Sequence, residues 1–224
     1  MARSFVMSTP APTEPSWSII VPVKQTMIAK SRLHGFTDDG RRALALAFAL
    51  DTVAAAVSCP AVRRLVVVTN EPAAQAFREA GADVIADRPD AGLNAAIVHG
   101  AQSVRATDPG CWMAALAGDL PALSAETLTT VLSLPHASRW FVPDSAGLGT
   151  TMLAASPSER LWPRFGPRSR ALHRAEGAEE VNVPGLERLR RDVDTEVDLW
   201  DAVRLGVGPY TRDVLSDLDR KRLA

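Results

Sequence analysis

The hydrophobic positions of this chain fall in short runs separated by amphipathic stretches. Ser18-Ile19-Ile20-Val21-Pro22-Val23 and Leu65-Val66-Val67-Val68 are rich in β-branched residues and lack polar alternation. Asp83-Val84-Ile85, Trp112-Met113-Ala114-Ala115-Leu116, Trp140-Phe141-Val142 and Met152-Leu153-Ala154 follow. Runs of this kind predict strands covered on both faces, as in parallel sheets. Between them the spacing becomes helical over about Asp39 to Val57, Pro72 to Ala80 closed by Gly81, Leu93 to Arg105, and Ser124 to Leu132. Alternating strands and helices predict βαβ units and a three-layer α/β/α fold with a mostly parallel sheet. No internal repeat or low-complexity linker interrupts the pattern, so residues 17–224 are expected to form one domain behind a loose tail over 1–16.

The last third is less regular, broken by Pro157, Pro163 and Pro167. Gly166-Pro167 reads as a helix start with proline in the first position, giving a short helix over Pro167 to His173. His173 is expected on the surface there rather than as a general base. A later helix follows Asp194-Thr195, either of which can cap it, with Asp198 in the first turns. Trp140, Trp162 and Trp200 can belong to the core or to an interface, with the core as the expectation.

Composition narrows the partners. The chain has 224 residues, 46% hydrophobic and 23% charged, with a formal net charge of −1. That balance offers no whole-molecule attraction to nucleic acid or acidic membranes, so a bound polyanion must be small and met by local cations. Cys59 and Cys111 belong to no CxxC pair and read as two buried free thiols in a reducing compartment. Met1 to Pro15 carries no sustained apolar stretch, and the longest apolar run, Ala43 to Leu50, is too short to span a bilayer. A soluble, cytoplasmic protein is the expectation.

The candidate chemistry is carried by aspartates far apart in sequence. Asp119 follows an apolar run in Leu116-Ala117-Gly118-Asp119-Leu120-Pro121, and Asp192 and Asp194 lie in Arg191-Asp192-Val193-Asp194-Thr195. Three converging carboxylates suit a hard divalent cation such as Mg²⁺, which takes oxygen ligands and keeps several waters. Without convergence they are turn and capping residues. In open α/β sheets ligands bind beyond the carboxyl ends of the strands. The loop after the first strand places Lys24, Lys30 and Arg32 within nine residues, a set that can meet a triphosphate or simply be a solvated basic loop. No glycine occurs between Ser18 and His34, so neither GxGxxG nor a Walker A cradle is present. This argues against a dinucleotide dehydrogenase and a P-loop enzyme.

Eight motifs occur in an order that resembles one family. They are Pro22-Val23-Lys24, Ala29-Lys30-Ser31-Arg32-Leu33, Val68-Thr69-Asn70, Gly92-Leu93-Asn94, Gly118-Asp119-Leu120-Pro121, Gly147-Leu148-Gly149-Thr150, Phe165-Gly166-Pro167-Arg168-Ser169 and Arg191-Asp192-Val193-Asp194-Thr195. The chain is similar, over about Trp17 to Tyr210, to the phosphoenolpyruvate or 2-phospho-L-lactate guanylyltransferases of coenzyme F-420 biosynthesis. The resemblance implies a MobA-like, GT-A-like nucleotide-diphospho-sugar transferase fold. It implies an enzyme that joins GTP to a phosphorylated three-carbon acid, releases pyrophosphate, and passes its product to a downstream transferase.

By the same resemblance Asp119, Asp192 and Asp194 match metal-binding carboxylates, with Mg²⁺ as the cofactor. Thr150, Gly166 and Ser169 match positions that bind the acceptor. Lys24, Lys30 and Arg32 match positions near the nucleotide phosphates, and Asn94 and Gly118 match positions near GTP. Asp119, Lys24 and Lys30 are the residues expected to carry catalysis. Phosphoenolpyruvate is the expected acceptor, with 2-phospho-L-lactate and 3-phosphoglycerate as alternatives. A molybdopterin guanylyltransferase would have a glycine-rich loop after the first strand, which this chain lacks. A glycosyltransferase would use a DxD-like motif, and Asp192-Val193-Asp194 lies late in the chain for that. A non-catalytic nucleotide-binding module would bind GTP without turnover.

Overall fold

In a computed structural model the described residues are 16–24, 30, 32–70, 72–135 and 137–223, with side chains described to 220. The tail expected over 1–16 lies outside them apart from Ser16, as do residues 25–29 and Ser31 of the basic loop.

The apolar runs become strands: β1 (Trp17–Val23), β2 (Val62–Thr69), β3 (Asp83–Ile85), β4 (Trp112–Leu116), β5 (Arg139–Pro143), β6 (Thr150–Ala155) and β7 (Glu179–Glu180). They form one seven-stranded sheet in the order β3-β2-β1-β4-β6-β5-β7. The β1–β2, β2–β3, β1–β4 and β5–β7 pairs are parallel, while β6 runs antiparallel to both β4 and β5. The order reverses direction at β1, which places a crevice beyond the ends of β1 and β4.

Helices α1 (Asp38–Val57), α2 (Ala74–Glu79) and α3 (Leu93–Thr107) make the crossovers, and α4 (Ala125–Leu132) precedes β5. After β6 come α5 (Ser169–Ala175), α6 (Glu187–Arg190), α7 (Glu196–Leu205) and α8 (Pro209–Leu223). Thr37 caps α1 by accepting from the Gly40 N–H at 3.2 Å, with Asp38 and Asp39 in the first turn.

Because β1 is covered on both sides, its side chains alternate between two cores. Ile19, Val21 and Val23 pack with Leu50 and Val53 of α1, whereas Ile20 packs with Ala96 and Ile97 of α3. The α3 face comes so close that a Cβ at Gly100 would lie 2.6 Å from Ile20 Cγ2. Only glycine allows that approach. A third core joins the outer side of α1 to α7, with Phe48, Val193 and Leu199 buried in it. Asp51 of α1 also accepts from the Tyr210 and Thr211 N–H groups at 3.0 and 2.9 Å, which fixes the start of α8.

Several sequence expectations are corrected. The second helix is shorter than Pro72 to Ala80, and β7, α6 and α8 carry no clear periodic signal in the sequence. Trp140 is fully buried, but Trp162 and Trp200 are 53% and 44% exposed, so only one of the three belongs to the core. Cys59 and Cys111 are buried and free, as expected. Among the described residues no helix is long and apolar enough to cross a membrane.

Candidate active site

Beyond the carboxyl ends of β1 and β4 lies a cavity of about 960 Å³. Lys30, Arg32, Gly118, Asp119, Asp192 and Asp194 line it, together with Thr150, Gly166 and Ser169. The chain reaches this arrangement through buried anchors. Leu120, next to Asp119, donates its N–H to the buried Thr52 hydroxyl of α1 at 3.0 Å. Val193 is fully buried in the α1–α7 core, which leaves the two flanking aspartates beside the cavity. The i, i+2 spacing works here because the residue between them is a core residue.

The acidic side already holds a cation. Lys30 Nζ donates to Asp119 Oδ2 at 2.6 Å and to Asp194 Oδ1 at 3.0 Å. Arg32 Nη2 donates to Asp194 Oδ2 at 2.9 Å. Burial works against the Lys30 charge, yet Asp119 and Asp194 outweigh it and hold the ammonium pKa above its ordinary value. Burial likewise pushes Asp194 up, but Lys30 and Arg32 override it and leave the carboxyl below its usual range. Among the described residues Asp192 has no such cationic partner. Burial, with the charges of Asp119, Asp144 and Asp194, pushes it up to about 7.

Asp144 is a carboxylate that sequence reasoning missed. It sits one residue past β5 in the Asp144-to-Gly149 turn, a position at a strand end that could have been noticed. Its side chain accepts from the Leu148 and Gly149 N–H groups at 2.9 and 2.7 Å. A Cβ at Gly149 would lie 2.5 Å from Asp144 Oδ2, so this turn requires glycine. Among the described residues no group of three or more His, Cys, Asp or Glu side chains stands ready-made around one point as metal ligands. The Lys30 ammonium lies between Asp119 and Asp194 instead.

Two sequence candidates are occupied elsewhere. Lys24 pairs with Asp87 and with Asp90, the latter at 3.2 Å, and is not among the cavity's described lining residues. Burial lowers its pKa, but those two carboxylates outweigh burial and leave it raised. The Asn94 amide donates to the Phe165 carbonyl at 3.0 Å and accepts from the Phe165 N–H at 2.8 Å, so it holds the 164–169 loop. The cap of α7 is also resolved. Thr195 accepts from the Asp198 N–H and Asp198 from the Thr195 N–H, a complete capping box. Asp194 is therefore not the cap, and it lines the cavity.

The other wall differs from the expected helix over Pro167 to His173. Arg168 adopts φ +62°, so the helix begins two residues later, at Ser169. The shift turns Ser169 inward, 1% exposed, and leaves the Arg168 side chain on the cavity. Arg170 locks this wall to the β5–β6 turn, donating to the Gly147 carbonyl at 2.9 Å and to Glu180 at 2.8 and 3.0 Å. His173 is fully buried, contrary to the surface position expected for it. The short helix points it inward, where it meets Thr150.

The MobA-like NTP transferase domain matches residues 45–182. A phosphoenolpyruvate guanylyltransferase from Streptomyces coelicolor is 51% identical over 207 residues, covering 90% of this chain and 97% of that one. The chain belongs to this family of MobA-like nucleotidyltransferases. A second phosphoenolpyruvate guanylyltransferase, from Thermomonospora curvata, is 46% identical over 209 residues, with 92% of each chain covered. Solved structures agree on the fold at low identity. A Desulfovibrio desulfuricans G20 protein ascribed to the nucleotide-diphospho-sugar transferases superposes with TM-score 0.62 at 18% identity, covering 92% of this chain and 96% of that one. A cytidylyltransferase from Leptospira borgpetersenii gives 0.55 at 13%, covering 93% and 95%. The chain is thus an enzyme of the nucleotidyltransferase class, and its parallel sheet with antiparallel β6 is a nucleotide-diphospho-sugar transferase sheet.

Proposed function

We propose that this enzyme joins GTP to phosphoenolpyruvate, releases pyrophosphate and forms enolpyruvoyl-2-diphospho-5'-guanosine, a step of coenzyme F-420 biosynthesis in the cytosol. The observation that carries this reading is the meeting, on one cavity, of an acidic cluster with two cations and a hydroxyl-lined wall. Membership of a family whose curated relatives bear that activity in their name supports the choice of substrates. Two free buried cysteines fit a reducing compartment.

The chemistry needs no general base. The nucleophile is a phosphate oxygen of the acceptor, already anionic because the second pKa of a phosphate monoester is about 6. It attacks the α-phosphorus of GTP, the bond to the β-phosphate oxygen breaks, and pyrophosphate leaves with the electron pair. What the protein supplies is alignment and charge neutralisation. Thr150 and Ser169, with the Arg168 guanidinium, hold the acceptor's phosphate and carboxylate. Lys30 and Arg32 offset charge on the nucleotide phosphates. Lys24 and Asn94 act indirectly, Lys24 through its pairs with Asp87 and Asp90 and Asn94 by holding the Phe165 loop of the acceptor wall.

The carboxylates fit Mg²⁺. Asp119, Asp192 and Asp194 are oxygen donors of the kind this ion takes, and Asp192, raised by burial and then by the charges of Asp119, Asp144 and Asp194, would gain a compensating cation there. When bound, a divalent ion there would polarise phosphoryl oxygens and offset the repulsion between the two anionic substrates.

The test is an incubation of the enzyme with GTP, Mg²⁺ and phosphoenolpyruvate, 2-phospho-L-lactate and 3-phosphoglycerate in competition, with products weighed by mass spectrometry. The phosphoenolpyruvate adduct should dominate. GTP binding without any adduct would leave only a nucleotide-binding module. Pyrophosphate release by Asp119→Asn and Asp192→Asn should fall at least about a hundredfold, the scale of losing one preorganised charge partner. Near-normal turnover in both would overturn the role of the carboxylates.

A further inference from the structure

His173 sits at 0% exposure behind the hydroxyl-lined wall. Its ring lies between Phe141 and Phe165, at centroid distances of 5.7 and 5.5 Å. Both nitrogens are engaged. The Arg164 backbone N–H donates to Nε2 at 2.9 Å, and Nδ1 lies 2.9 Å from Thr150 Oγ1. We propose that His173 is a positioning residue for the acceptor, orienting the Thr150 hydroxyl so that its O–H is free to donate to the bound anion.

Donor counting fixes the tautomer of the ring. A backbone N–H can only donate, so Nε2 must offer its lone pair, and a neutral ring then carries its proton on Nδ1. Nδ1–H donates to Thr150 Oγ1, and the threonine proton remains available for an anionic ligand. The reverse arrangement would turn the Thr150 proton back into the ring and present only lone pairs to an anion. The ring is neutral at physiological pH because burial lowers its pKa to about 4. Of the charged groups facing it, Glu176 raises the value while Arg139 and Arg164 lower it. One side chain thereby ties the start of β6 to the 164–169 loop, the two parts of the chain that make the acceptor wall.

This rests on the reading of the Thr150–Ser169 wall as the acceptor site, and the test separates the two. Initial rates of guanylyl transfer are measured with acceptor and GTP varied in turn. His173→Phe keeps a ring between Phe141 and Phe165 but deletes both hydrogen bonds. Its KM for the acceptor should rise about tenfold, the effect of losing one oriented hydrogen bond, while its KM for GTP stays within about twofold. His173→Gln, which keeps an amide donor and acceptor, should recover part of the loss. Thr150→Val should raise the acceptor KM similarly, and the double variant should show less than the product of the two effects because both act through one hydroxyl.

An unchanged acceptor KM in His173→Phe, with a raised one in Thr150→Val, overturns the proposal and leaves the acceptor site standing. An unchanged KM in Thr150→Val overturns the acceptor site itself. Equal losses for both substrates in His173→Phe mark a purely structural role and also overturn the proposal. If His173→Phe does not fold, nitrogen NMR of the unaltered enzyme gives the answer. A neutral Nδ1–H ring across about pH 6 to 8 supports the proposal, and an Nε2–H ring or a titration near the ordinary value of about 6.5 overturns it.

Discussion

The backbone N–H of Val193 donates to the carbonyl of Asp119 at 3.1 Å. This bond joins the loop after β4 to the segment before α7, and it falls on the residue between Asp192 and Asp194. The three aspartates are therefore brought together by main chain and by the burial of Val193, not by attraction among themselves. Their charges repel, and the pKa of Asp192 is raised by its burial first and then by the charges of Asp119, Asp144 and Asp194. Folding supplies the free energy that holds like charges close, an arrangement typical of sites built for a ligand.

Asp192 gives a pH signature. Its folded pKa, about 7, lies above the ordinary 3.8, so the folded state binds a proton that the unfolded state has released between those values. Metal-free stability should fall as pH rises from about 4 to 7 and level off above. Asp192→Asn removes this cost. In chelator it should raise Tm by a few degrees near pH 8, about 1–2 kcal/mol once solvent screening is allowed for, and by almost nothing near pH 4. Thermal melts at the two pH values check this, and an equal shift at both would count against it.

Asp194 and Thr195 should separate cleanly. Thr195→Ala removes the cap of α7 and should cost about 1 kcal/mol of stability with modest loss of turnover. Asp194→Asn leaves the capping box intact and should cut turnover about a hundredfold or more. Amide exchange in the first turn of α7 should quicken only in Thr195→Ala. Quickening in Asp194→Asn instead would return that residue to a capping role.

Lys30 pairs with both Asp119 and Asp194. Lys30→Met leaves both carboxylates without their shared partner, and in chelator it should lose about 1–3 kcal/mol, less than for a wholly buried pair because Asp194 is partly solvated. Added Mg²⁺ should then raise Tm more in the variant than in the unaltered enzyme, because no ammonium competes for the same oxygens. Equal Mg²⁺ shifts in calorimetry would show that the ion does not use these carboxylates.

Gly100→Ala tests the contact of α3 with the sheet. Helix propensity favours alanine by about 1 kcal/mol, but the new methyl would meet Ile20 at 2.6 Å and Val68 at 2.9 Å. Overpacking costs about 1–3 kcal/mol and should win, lowering Tm by a few degrees. An increase in Tm would mean that the helix can lift off without penalty.

The strands of the parallel sheet were legible in the sequence because burial on both faces leaves unbroken apolar runs such as Ile19 to Val23 and Leu65 to Val68. The major helices were legible from their spacing and caps, and the aspartates, Thr150, Gly166 and Ser169 from ordered motifs. What the sequence could not carry were relations between segments. Nothing local to Lys24 or Asn94 says that each is bonded across the fold, to Asp87 and Asp90 in one case and to Phe165 in the other. Nothing local to His173 says that a helix begun two residues late, after a left-handed Arg168, turns it into the interior. Asp144 joined the acidic cluster for the same reason, through a turn closed by its own side chain. Periodicity reports which face of an element is buried. Which side chain that face meets depends on long-range packing and on single backbone torsions, and only the tertiary structure decides those.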